Sequence, residues 1–140
     1  MKTNLYFKSL ILLIVSFSII SCVTQNKIEK SGVTSLEFGS GGGFTGKYVT
    51  YILDLKQKTL NAPDNVKTKV KAKDLKELLK MLEDTDFAAL KQDEPGNMNE
   101  FLTINTAQPI KFVWEKNSEI PIELKALYLK LKTLTIDEKK

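Results

Sequence analysis

The chain has no histidine and no arginine, and only one cysteine and one tryptophan in 140 residues. Without histidine it lacks the side chain that most often moves protons near neutral pH. The Ser-His and Cys-His nucleophile pairs and the commonest zinc ligand go with it. Without arginine there is no planar fork to hold a phosphate or carboxylate in one pose. All 21 basic residues are therefore lysines, set against 17 acids for a formal charge of +4. Lys2 and Lys8 lie in the first ten residues, and beyond residue 21 the excess falls to +2. A balance this close to neutral gives nucleic acid little to bind. Glycine is scarce as well: five of the seven fall between Phe38 and Lys47.

What is present is ordinary for a globular protein: 42% hydrophobic and 27% charged residues, in a length that suits one domain. The first 21 residues stand apart. Two lysines precede an apolar run from Leu10 to Ile20, interrupted only by Ser16 and Ser18. The run is too short to span a bilayer as a helix and has the shape of an export signal. It ends in Ile19-Ile20-Ser21-Cys22. The polar stretch that follows suits a tether. The reading is a signal peptide over 1–21, a tether over 22–31, one folded domain over 32–136 and a short tail over 137–140.

Within the domain, residues 33–38 read as a strand, and Lys47–Asp54, rich in β-branched and aromatic residues, as a stronger one. Lys56–Lys58 is a turn, residues 59–61 pair back briefly, and Pro63–Asn65 breaks the chain. Residues 66–71 alternate valine or threonine with lysine, as an edge strand does. Asp74 and Glu77 are spaced as a capping box opening a helix whose stripe is Leu75, Leu78, Leu79 and Leu82. Phe87 and Leu90 tuck under its end, and Asp93–Asn97 is a turn. Residues 101–106 and 110–114 read as strands, with Ile110, Phe112 and Trp114 on one face. Pro121 opens a second helix striped by Leu124, Leu127, Tyr128, Leu131 and Leu134. The order strands, helix, strands, helix predicts an α+β domain: one antiparallel sheet with both helices on one face.

The glycine-rich stretch, Gly39-Ser40-Gly41-Gly42-Gly43-Phe44-Thr45-Gly46-Lys47, reads as a loop between strands. It fits G-x-G-x-x-G and most of a P-loop. However, Tyr48 stands where the P-loop needs Ser or Thr, and a strand follows where both motifs need a helix N-terminus. No nucleotide, cofactor or metal site is expected. Two readings of the loop stay open. The glycines permit positive φ and a close pass of backbone over the sheet, with Phe44 tucked inward. Alternatively Gly41, Gly42, Gly43, Phe44 and Thr45 form a contact surface for a protein or peptide, with Phe44 as apolar anchor. Acids are scattered: Asp84, Asp86, Asp93 and Glu94 follow the first helix without the spacing of a calcium loop.

Ile19-Ile20-Ser21-Cys22 resembles the lipobox of bacterial lipoproteins. The resemblance implies cleavage before Cys22, lipid on its sulfur and an acyl chain on its amine. Several acyl chains anchor a protein stably where one is marginal. The lipobox, the Lys/Asn/Ile bias, the segment 38–46 and Pro95-Gly96-Asn97 together look like the small lipoproteins of Bacteroidota, a group without an assigned activity. Over about residues 33–134, the order of a Gly42-Gly43-Phe44-Thr45-Gly46 loop, a strand, a leucine-striped helix, a hairpin and a final leucine-rich helix is similar to emfourin-type inhibitors of thermolysin-like metalloproteases. The chain departs from that family by extra residues around 63–69 and by its lack of arginine. The expected protein is a non-enzymatic binding domain held in the cell envelope through Cys22. A protease inhibitor and a small carboxylate-dependent hydrolase are the alternatives.

Overall fold

The computed structural model describes residues 32–136. The expected signal peptide, Cys22 and the expected tether and tail lie outside the described residues. The domain consists of strands β1 (Ser35–Gly42), β2 (Lys47–Asp54), β3 (Thr59–Asn61) and β4 (Lys67–Lys69), helix α1 (Ala72–Asp84), strands β5 (Asp93–Glu94), β6 (Met98–Asn105) and β7 (Ile110–Glu115), and helix α2 (Ile122–Ile136). The seven strands form one sheet in the order β4-β3-β2-β1-β6-β7-β5. Every pair is antiparallel except β5 with β7.

β1 is the central strand, paired along its whole length with β2 on one side and β6 on the other. It therefore joins the two halves of the chain. Alternation gives the sheet one apolar face, with Leu36, Phe38, Leu53, Leu60, Leu102, Ile104, Phe112 and Trp114 buried. Both helices lie on that face: Leu75, Leu78 and Leu79 of α1 and Leu124, Leu127, Tyr128, Leu131 and Leu134 of α2 join the same core. Phe87 is buried on a 3-10 turn after α1, its ring edge-on to Phe112.

Three local expectations are corrected. β1 runs on to Gly42, so the glycine-rich loop shrinks to a 3-10 turn over Gly43–Thr45. The capping box does not form. α1 starts at Ala72 behind Lys71, which gives no side-chain cap, and Asp74 turns instead to Lys130 of α2, 2.7 Å away. Lys130 also reaches Glu77 at 2.6 Å, and these two carboxylates hold its ammonium pKa above the usual value. The turn expected over Asp93–Asn97 begins as the short parallel strand β5.

Candidate functional site

The sheet face turned away from the helices carries few large side chains on β1, because Gly39 and Gly41 point there. A Cβ on Gly39 would overlap the Val49 carbonyl oxygen and stand 3.1 Å from the Phe101 ring. A Cβ on Gly41 would meet Lys47 and Tyr48 backbone atoms and the Tyr48 ring. The missing side chains are replaced from either side: Tyr48 on β2 is paired with Gly41, and Phe101 on β6 with Gly39. The two rings meet edge-to-face, centroids 6.0 Å apart. Glycines thus hold positions inside a sheet because neighbouring aromatics cover them.

Beside these rings is a concavity of ≈ 570 Å³, bordered by Glu37, Thr50, Asp93, Thr103, Lys111 and Val113. It gathers two carboxylates, Glu37 and Asp93, from strands that are not neighbours. Glu37 is on β1 and Asp93 on β5, three strand steps across and two residues along the register. That places their backbones about 16 Å apart. Among the described residues, no group of three or more Asp, Glu, His or Cys could hold a metal ion.

At one end of this face the β5–β6 connection folds onto the β1–β2 turn. Asn99, only 7% exposed, ties the two together. Its Oδ1 accepts the Gly96 N–H at 2.7 Å, and its Nδ2 donates to Tyr48 Oη at 3.3 Å. The Gly43 N–H donates to the Asn97 carbonyl at 2.6 Å. Gly42 has φ 103, and a Cβ there would lie 2.7 Å from that same Asn97 oxygen. Asn99→Leu is expected to cost about 1–2 kcal/mol, because it strands a partly buried N–H. Urea unfolding should show that loss, and amide exchange at Gly96 and Gly43 should speed up. Unchanged exchange would mean that Asn99 does not hold the turn.

On this braced tip stands Phe44, with a relative exposure of 108%. It does not tuck inward. The close backbone passes occur within β1, at Gly39, Gly41 and Gly42, and positive φ occurs at Gly42, Gly43 and Gly46. Tyr48, Val49 and Met98 are exposed around the same end, and Met98 Sδ lies near Gly43. The structure therefore places Gly43, Phe44 and Thr45 together on the projecting turn, and Gly41 and Gly42 in the strand that carries it. β2 follows the turn directly, so no helix N-terminus faces the glycines. Sequence reasoning missed Asn99, Tyr48 and Met98 as parts of this end. The only signal was an asparagine and a tyrosine at strand positions that the register alone aligns.

No protein-family model matches the chain, and no curated protein matches it.

Proposed function

We propose that this chain is a lipid-anchored, non-enzymatic domain of the cell envelope that binds a protein or peptide through the β1–β2 tip. The observation that carries the reading is Phe44: a full aromatic side chain held in water on a turn that Asn99 and the Gly43–Asn97 hydrogen bond hold in place. Burying such a ring contributes about 1.5–3 kcal/mol, which the isolated domain forgoes and a partner would recover. Aromatic anchors on rigid supports dominate protein interfaces. The expected membrane attachment is through Cys22, and the reading invokes no cofactor, nucleotide or nucleic acid.

A photo-cross-linking residue at position 44, expressed in the native envelope, tests this. An adduct should form there and not from the exposed position 64. Excess wild-type chain should compete it away, and Phe44→Ala should not. Because Phe44 packs on nothing, Phe44→Ala should leave Tm within about 2 °C of wild type. Equal adducts from both positions, or none from 44, would refute a contact role for the tip. One projecting apolar side chain also suits the cleft of a metalloprotease, the sharper reading that the emfourin resemblance implies. It requires near-stoichiometric inhibition of a thermolysin-like enzyme that Phe44→Ala relieves.

A further inference from the structure

Charge is divided unevenly along the chain, and the fold turns that division into a diagonal. Residues 54–80 hold eight lysines and four acids; residues 83–123 hold three lysines and nine acids. The first stretch builds the β3–β4 edge of the sheet and the start of α1, and the second includes the opposite edge at β5. The two edges also differ in height along the strands. Lys69 pairs with Thr59, Thr59 with Asp54 and Asp54 with Ser35, at the beginning of β1. Glu94 pairs with Trp114, Trp114 with Glu100 and Glu100 with Ser40, towards the Phe44 tip.

The beginning of β1 is also where the preceding chain joins the domain. Thr34 bonds to Asn105 on one side and to Leu55 on the other. Lys56 follows Leu55 directly, and Lys58 accepts from Val70 beside Lys69. Lys56, Lys69 and Lys73 are exposed at this pole and Lys58 half-exposed. The carboxylates of the same stretch are engaged within the domain: Asp54 and Asp64 with turn N–H groups, Asp74 and Glu77 with Lys130. From this pole to the tip, β1 extends about 23 Å.

We infer that the lysine pole formed by Lys56, Lys58, Lys69 and Lys73 is a docking surface for anionic phospholipid headgroups. It seats the domain on the bilayer with the Phe44 tip pointing away. The inference rests on the anchored reading for which membrane is met, since Cys22 precedes the domain by ten residues. Ten residues reach at most about 35 Å, enough for the domain to meet the surface either way up. The tether therefore does not choose an orientation, and the charge diagonal does. Lysines near an anionic surface are attracted over about a Debye length, and the acidic corner is repelled.

The test uses the full chain in vesicles of phosphatidylcholine alone or with phosphatidylglycerol. With Cys22 acylated, one introduced cysteine is the only free thiol. A dye is placed at Gln57→Cys on the lysine pole or at Thr45→Cys on the tip, and energy transfer to an acceptor lipid is read. With phosphatidylglycerol the Gln57 dye should transfer several-fold more than the Thr45 dye. The gap should close in phosphatidylcholine alone, and also as salt rises from about 0.05 to 0.5 M. Lys56→Gln/Lys69→Gln/Lys73→Gln, checked for unchanged Tm, should close it at low salt. Equal transfer from both dyes with phosphatidylglycerol overturns the inference. So does a gap that ignores lipid charge and salt. Flotation separates this from the anchor: a chain that fails to float with phosphatidylcholine vesicles refutes the anchor, while added flotation with phosphatidylglycerol still supports the lysine pole. Flotation with neither refutes both.

Discussion

Gly39→Ala is expected to destabilise the domain by about 4 kcal/mol, the upper range for a single substitution, and to lower Tm by about 15–25 °C. The added methyl group would occupy the space of the Val49 carbonyl oxygen and press on the Phe101 ring. Relief would require moving backbone, since β1 is hydrogen-bonded along its length to both neighbours. Overpacking usually costs 1–3 kcal/mol because side chains can shift aside, and here the obstacle is the main chain. Gly46→Ala is the control. Gly46 has φ 60 with open space around it, so alanine there carries only the left-handed backbone cost of about 1–2 kcal/mol. Urea unfolding of both variants checks the comparison. If Gly39→Ala is no worse than Gly46→Ala, the glycine at position 39 is not required by packing.

Glycine has low strand propensity and marks loops, so Gly39–Gly42 reads as part of a loop. What keeps these residues in a strand is Tyr48 and Phe101, which lie over them from two different strands. Tyr48 is close in sequence, but Phe101 is 62 residues beyond Gly39, and no window along the chain contains that pairing. β5 was hidden for the same reason: two residues have no period, and their partners Val113 and Trp114 are twenty residues away. Asp74 reads as a cap because of Glu77 three residues on, yet its partner is Lys130, on the other helix. Where the determinant is local, the reading holds. The β-branched and aromatic run Lys47–Asp54 is β2 to the residue, and the leucine stripes of both helices are the faces that enter the core. The outward Phe44 was legible as one of two options, and choosing between them required knowing that the β5–β6 connection braces the turn from outside.

The tip and the core are linked through Gly39. Tyr128 of α2 donates its hydroxyl proton to the Gly39 carbonyl at 2.9 Å, crossing the core to the strand that carries the tip. Its ring stands edge-on to Trp114 at 4.9 Å, and Lys132 lies over its face. Glu100 completes the cluster, accepting from Trp114 Nε1 and from Lys132 Nζ, both at 3.2 Å. Gly39 is thus fixed on one side by neighbouring strands and on the other by a helix, so the β1–β2 hairpin projects Phe44 from a doubly secured base.

Tyr128→Phe should therefore give a stability curve that crosses that of the wild type at high pH. Burial raises the Tyr128 phenol pKa well above its ordinary value of 10.0, and the negative charge of Glu100 raises it further. A raised phenol pKa means that the folded state favours the neutral form. The corresponding stability is fully present below pH 10 and is lost as pH rises, because the unfolded chain gives up this proton first. The loss approaches about 1.4 kcal/mol per pH unit once the unfolded phenol ionises. Phenylalanine has no proton to lose. At pH 8 the variant should be less stable by about 1 kcal/mol for the missing hydrogen bond to Gly39. At pH 12 it should be more stable than wild type, with the curves meeting between about pH 10 and 11.5. Subtracting one denaturation series from the other removes the titrations that both proteins share and leaves that of Tyr128. Parallel curves across this range would mean that the phenol titrates alike in the folded and unfolded chains, and that Tyr128 does not hold the helix to the strand through a buried, protonated hydroxyl.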